Sequence, residues 1–283
     1  MTLYVVGTPI GNLSDASPRV IDTLRNVSFI AAEDTRVTQK LLSRFDIHTK
    51  LTSSHEHNER GKARLLVERM LSDNADAALV TDAGMPSISD PGGAVVTAAR
   101  VAGIRVECVP GPTAATTILA LTGWRFTEFA FYGFLPREKA ALREKLAEMS
   151  SGVGVAVVYE SPHRVGTLLT ILNETAADAR VFIANDLTKQ YEWTFEGTAG
   201  ESLAAFSAKA NAEKGEYCLA FQFPLKPSAD EPEPIRAETW VLDALYSGKT
   251  MAEAVEWARE HGASRNAAYQ AGLAVKAFLR SGA

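Results

Sequence analysis

The residues best placed to do chemistry lie in one stretch, Asp82–Gly92, with the sequence D-A-G-M-P-S-I-S-D-P-G. Asp82 can accept from a hydroxyl or pair with a cation. Gly84 allows close backbone approach, and Ser87 and Ser89 supply short donors and acceptors. Those types suit a ligand carrying both charge and hydroxyls. An apolar run, Ala77 to Thr81, leads in, and Asp90-Pro91 is an N-cap and first-turn signal for a helix that Gly103 can end. The stretch therefore reads as strand, loop, helix. In open α/β sheets ligands sit beyond the carboxyl ends of the strands.

Other polar loops follow other apolar runs: 8–13, 33–36, 53–58, 110–114, 160–164 and 185–189. If those strands are parallel, the loops share one edge, and a cleft there would carry Asp34, Arg36, His55, Asp82, Glu160, His163, Arg164 and Lys189. Several chemistries have no signature. The chain has no G-x-x-x-x-G-K-[ST], no G-x-G-x-x-G after the first strand, no G-x-S-x-G and no C-x-x-C. His55 and His57 stand two apart without partner cysteines, so a metal centre is not expected.

The elements that must position these loops alternate. Strands are expected at 3–7, 29–32, 77–81 and 104–109, with a short extended piece ending at Leu51-Thr52. Helices follow from Ser17-Pro18, from a cap at Thr35, over 60–72 and over 114–122, closed by Gly123. This predicts a first αβα domain, 1–122, with a mostly parallel sheet. A second α/β domain, 123–226, has strands at 128–132, 153–159, 180–184, 192–197 and 216–223. Its late consecutive strands suggest antiparallel members. A Pro-rich acidic segment from Pro224 precedes a helical tail, 236–283. Its helices fall near 238–246, 250–260 and 265–280, at helix-turn-helix spacing, with Thr250 and Glu253 as a capping box.

The chain has 283 residues, 46% apolar and 22% charged, which is ordinary for a globular protein. No apolar run approaches the roughly 18 residues of a membrane span. The net charge of −5 gives no global attraction for nucleic acid, although a local basic groove is compatible with it. Cys108 and Cys218 both fall in expected strands and read as buried small hydrophobes in a reducing compartment.

L-Y-V-V-G-T-P-I-G-N-L at the start, E-D-T-R at 33–36, S-H-E-H-N at 54–58, T-D-A-G-M-P-S-I-S-D-P-G at 81–92, V-P-G-P-T-A at 109–114, G-F-L-P at 133–136 and Y-E-S-P-H-R at 159–164 occur in this order. Together they resemble the ribosomal RNA small-subunit methyltransferase I group of the tetrapyrrole-methylase-like S-adenosylmethionine enzymes. The resemblance extends over about the whole chain. It implies two αβα domains with a cofactor cleft between them, S-adenosylmethionine as donor, and a homodimer; the missing metal-ligand motifs and the lack of a secretory signal pattern lead to the expectation of no metal and a cytoplasmic location. It also implies transfer to the ribose 2′-hydroxyl of a cytidine in 16S ribosomal RNA of the small subunit. By position its cofactor residues are Pro9, Asp82, Gly84, Met85, Ser87, Ile88, Ser89, Thr113, Ala114, Tyr159 and Ala184.

A ribose hydroxyl is a weak nucleophile at neutral pH, so a base helps. Asp34, His163 and Lys189 are candidates. Arg36, Arg164 and Lys189 could instead hold RNA phosphates. Two rival readings stand beside this one: a tetrapyrrole carbon methylase of the same fold, and a DNA-binding regulator that senses the cofactor. The latter has few cations to work with, since the last helix offers only Arg265, Lys276 and Arg280.

Overall fold

The computed structural model describes residues 1–54, 59–224 and 236–281. His55 and His57, and most of the Pro-rich segment, lie outside the described residues. Two compact units result, Met1–Leu225 and Lys226–Ala283.

The larger unit holds two five-stranded sheets. In the first, β1 (Thr2–Val6), β2 (Phe29–Ala32), β3 (Lys50–Ser53), β4 (Ala77–Val80) and β5 (Arg105–Val109) lie in the order β3-β2-β4-β1-β5. Every pairing is parallel. β2 and β4 are buried at every residue, as strands covered on both faces must be. One face is packed by α1 (Pro18–Asn26) and α2 (Thr35–Arg44), which contribute Val20, Leu24, Leu41 and Leu42. The other is packed by α3 (Glu59–Asp73) and α4 (Gly93–Val101), which contribute Leu66, Met70, Val95 and Ala99. The local signals explain the helix starts. Ser17 caps α1 by accepting from the Val20 amide, with Pro18 in the first turn, an arrangement that contributes about 1 kcal/mol. α5 (Ala114–Thr122) ends on Gly123, whose φ of 63° suits glycine.

The second sheet contains β6 (Ala130–Phe134), β7 (Val155–Glu160), β8 (Arg180–Asn185), β9 (Trp193–Thr198) and β10 (Tyr217–Gln222), ordered β6-β7-β10-β8-β9. β6 and β7 are parallel, while β10 runs antiparallel between β7 and β8. Edge strand β9 alternates half-buried and exposed residues. α6 (Lys139–Gly152), α7 (Pro162–Thr175) and α8 (Ala199–Ala208) cover one face through Leu146, Met149, Leu168 and Leu172. α5 covers the other: its Ala115, Ile118 and Leu119 pack with Val157, Phe182, Cys218 and Ala220. The last helix of the expected first domain therefore sits on the second sheet.

The smaller unit is three helices, α9 (Ala237–Tyr246), α10 (Met251–Glu260) and α11 (Arg265–Ser281). They close on a core of small residues, including Ala244, Ala254, Ala258, Ala268 and Ala271, beside Trp240 and Trp257. The Thr250–Glu253 capping box is formed, and Ser264 Oγ accepts from the Ala267 amide at 3.2 Å.

Three expectations are corrected. α2 is capped by Asp34, not Thr35: the Asp34 carboxylate accepts from the Arg36 amide at 2.8 Å. α4 begins at Gly93, after Gly92 at φ 136°, so neither Asp90 nor Pro91 starts it. Cys108 is exposed because β5 is an edge strand; Cys218 is buried as expected.

Candidate functional site

Parallel pairing puts the carboxyl ends of β1, β4 and β5 side by side, and the loops they release interlock. Thr8 and Gly84 exchange backbone hydrogen bonds, with the Thr8 amide donating at 2.9 Å and the Gly84 amide at 3.1 Å. The Gly7 and Gly111 backbones approach so closely that a Cβ on Gly111 would meet the Gly7 carbonyl oxygen at 2.6 Å. Within Asp82–Gly92, four residues are left-handed: Gly84, Ser87, Ser89 and Gly92. For the two serines this is a strained backbone, which persists only where surrounding contacts hold it. One such contact crosses to the second sheet, where β6 bulges at Gly133 and leaves no room for a Cβ beside Ser89 Oγ, 2.9 Å away.

These loops and the edge of the second sheet enclose a cavity of about 370 Å³, within the range of roughly 300–1,000 Å³ usual for small-molecule sites. Ile10, Met85, Ile88, Phe134, Tyr159 and Leu187 make it largely apolar. Its charged lining residues are all acidic: Asp90, Glu160 and Glu216. Burial, with Glu33 and Asp82 nearby, pushes the Asp90 carboxyl up to about 6, offset in part by the Thr81 hydroxyl. Glu160 is also raised, first by burial, although the Ser161 amide and Arg164 oppose the shift. Burial holds the Tyr159 phenol up at about 12, so it stays protonated and can donate. Glu160 and Glu216 are paired with Arg164 and Lys189, so the arrangement suits a small molecule with an apolar body whose positive charge lies near Asp90.

Residues 2–203 match the Tetrapyrrole (Corrin/Porphyrin) Methylases. The chain belongs to this family. Within it, a ribosomal RNA small subunit methyltransferase I of Halalkalibacterium halodurans is 45% identical over 218 residues, 77% of this chain and 74% of the relative. The protein of the same name from Synechocystis is 37% identical over 281 residues, 97% and 98% of the two chains. The chain is a member of that methyltransferase group. Among solved structures, diphthine synthase superposes with a TM-score of 0.58 at 13% identity, over 78% of this chain and 89% of that one. Uroporphyrin-III C-methyltransferase from Thermus thermophilus, complexed with S-adenyl homocysteine, gives 0.53 at 16% identity, over 77% and 96%. These likenesses establish the tetrapyrrole methylase fold.

In this methylase, seven of the residues assigned to the cofactor by position line the cavity: Gly84, Met85, Ile88, Ser89, Thr113, Ala114 and Tyr159. Four do not. Pro9 and Ala184 are buried behind the wall. Asp82 accepts from the Asp34 amide at 3.0 Å, and Ser87 braces its own loop through the Pro91 carbonyl at 3.3 Å.

None of the residues read as catalytic lines the cavity. Arg36 is 88% exposed and clamped by both carboxylate oxygens of Asp34, its Nη2 at 2.6 Å. His163 is exposed in the first turn of α7. Arg164 lies 3.3 Å from the buried Glu160 carboxylate and donates to the carbonyls of Leu135 and Pro136. The Lys189 ammonium bridges Asp186 and Glu216, each at 2.8 Å. Burial alone would lower its pKa, but those two hydrogen bonds prevail and raise it, which works against a role as base.

The reading from sequence passed over Gly215, Glu216, Tyr217 and Cys218, which complete the wall. They begin β10 rather than end it, and an antiparallel strand brings its start to the edge where parallel strands bring their ends. Asp90 carried a signal, but one for a helix cap. Among the described residues, no group of His, Cys, Asp and Glu is placed to hold a metal ion, and no helix is long and apolar enough to cross a membrane.

Proposed function

We propose that this chain transfers a methyl group from S-adenosylmethionine to the ribose 2′-hydroxyl of a cytidine in 16S ribosomal RNA of the small subunit. The observation that carries the donor half is the cavity whose charged lining residues are all carboxylates. When bound, S-adenosylmethionine supplies a methyl group already activated on a positively charged sulfur. The reaction then needs alignment and exclusion of water more than a Lewis acid or a covalent nucleophile. Ile10, Ile88, Phe134 and Leu187 exclude water, Asp90, Glu160 and Glu216 face positive charge, and Thr113 and Ala114 bring the positive end of the α5 dipole to the cavity, where it favours a carboxylate.

The acceptor half is supported by the relatives' names, by 37–45% identity to two of them, and by the motifs quoted above. No cation lines the cavity to hold a phosphate, so in this proposal the RNA backbone runs outside while one nucleoside reaches the rim. Arg36, exposed and held upright beside Asp82, is placed to meet that backbone. The proposal includes the homodimer that the resemblance implies, in the cytoplasm.

Incubating the protein with small subunits and methyl-labelled donor, then digesting the RNA to nucleosides, should place the label in 2′-O-methylcytidine. Label on a base, or only on a tetrapyrrole precursor, overturns the reading. Arg36→Ala should leave the melting temperature unchanged. It should raise the KM for subunits and reduce the slope of log affinity against log salt by about 0.7–0.9, the share of one lost phosphate contact. An unchanged slope removes Arg36 from the RNA interface.

The three-helix unit enters the proposal as a docking module. Its cations Arg236, Lys249, Arg259, Arg265, Lys276 and Arg280 are nearly balanced by Glu238, Asp243, Glu253, Glu256 and Glu260, so contact must come from one face rather than from bulk charge. Deleting 236–283 should leave donor affinity within about twofold, raise the KM for subunits and flatten its salt dependence. Equal activity at every salt concentration excludes docking.

A further inference from the structure

We propose that Asp90 is the catalytic base that takes the proton from the acceptor hydroxyl. The inference rests on the reading of the cavity as a methyl-donor site. It begins from a displaced helix start: Gly92, not Asp90, is the N-cap of α4, and Asp90 lines the cavity. The Asp90 side chain turns to the cavity instead, on a loop fixed by left-handed Ser87 and Ser89 and by the Ser87 amide bonding to the Pro91 carbonyl. Asp90 lines the cavity and is also exposed to solvent. It therefore belongs to the rim, where a methyl group held inside would meet a nucleoside arriving from outside.

The other candidates are committed elsewhere. Both oxygens of Asp34 accept from Arg36. Lys189 is held as an ammonium between Asp186 and Glu216. His163 lies outside the cavity lining. The groups facing Asp90 come from every neighbouring element: Glu33 after β2, Thr81 and Asp82 after β4, Tyr159 on β7 and Glu216 before β10. They supply negative charge or a neutral hydroxyl, with Glu216 itself paired with the Lys189 ammonium. The single proton of the Thr81 hydroxyl is also given to Glu33, at 2.5 Å. Those surroundings leave the carboxylate more basic than an ordinary aspartate yet ionised at pH 7.5, as a general base requires.

The step balances. The ribose O–H bond breaks and its proton passes to an Asp90 oxygen. A new O–C bond forms to the methyl carbon as the C–S bond breaks, with the electron pair staying on sulfur. Asp90 then returns the proton to water, so each turnover releases one proton.

Three measurements test this: steady-state kinetics across pH, calorimetric donor affinity, and carbon NMR titration of the carboxyl groups. Wild type should show an acidic limb in kcat with a midpoint near 6, and a carboxyl titrating there that is absent from Asp90→Asn. Asp90→Asn should lose about 100–1,000-fold in kcat at saturating donor and lose the limb, with donor Kd weakened by less than tenfold, as neutralising one of three cavity carboxylates would do. Asp90→Glu should recover part of the rate together with the limb. The proposal is overturned if Asp90→Asn keeps the limb or most of the rate, if its main defect is a tenfold weaker donor Kd, or if no carboxyl titrates near 6. If the wild-type protein does not bind the donor, the reading of the cavity fails first, and that result is distinct from a donor-binding Asp90→Asn variant that stays active.

Discussion

Gly111→Ala is expected to weaken S-adenosylmethionine binding at least tenfold and to lower the melting temperature of the α/β body. A Cβ at this position would stand 2.6–2.8 Å from the carbonyl oxygen, carbon and Cα of Gly7. These are backbone atoms and cannot rotate away, so the loops after β1 and β5 must separate. Overpacking of this kind costs about 1–3 kcal/mol, and each kcal/mol lowers the midpoint by about 2–4 °C in a body of this size. The same separation moves Thr113 and Ala114 away from Gly84 across the cavity. Gly93→Ala is the control, because its Cβ would enter open space at the start of α4. It should be neutral or slightly stabilising. Calorimetry and thermal melts on both variants decide the matter: if Gly111→Ala matches Gly93→Ala, the close approach of the two loops does not shape the site.

Arg164→Ala is expected to destabilise the protein by about 3–5 kcal/mol at neutral pH, near the lower end because Arg164 is itself a quarter exposed. The reason is the carboxylate left behind. The Glu160 side chain is 1% exposed, and Arg164 is its counter-ion. Glu160 already holds its proton more tightly than an ordinary glutamate, chiefly through burial, and losing the cation raises it further. A carboxyl raised in the folded state contributes its full stability below the unfolded value and loses it as pH rises through the folded value. The deficit of Arg164→Ala should therefore grow as pH rises through the raised folded value of Glu160, and its charge-dependent part should be absent at pH below the ordinary glutamate range. Adding Glu160→Gln should recover much of the loss at pH 7.5, as a double-mutant cycle would show. A deficit independent of pH, or no recovery, would show that the charge pair is not the cause. Arg36→Ala should show none of this behaviour, although the sequence offered both arginines as phosphate contacts.

That contrast marks the boundary between what the chain of residues determined and what the fold decided. Local chemistry was legible. Ser17-Pro18, Gly123 and Thr250 with Glu253 mark helix ends because capping involves residues within four positions of one another. The alternation of strands and helices announced the α/β body, and the loop Asp82–Gly92 announced the site, because glycines and short polar side chains after a strand have few other uses. The seven cofactor positions that line the cavity, on three segments, come from the family resemblance carried by the motifs rather than from that local logic.

What the sequence could not determine depends on strand direction and on partners far along the chain. β10 runs antiparallel, so residues 215–218 reach the site from the start of a strand. α5 leaves the first sheet for the second because its apolar face matches Val157, Phe182 and Ala220, residues placed only after both sheets have formed. Asp90 reads as a helix cap over any short window, and only the left-handed turn at Gly92, which starts α4 two residues later than expected, sends its carboxylate into the cavity. Arginine's charge is written in the sequence. Whether it answers a buried carboxylate four residues away or stands exposed to solvent is decided by burial, which is a property of the packed whole.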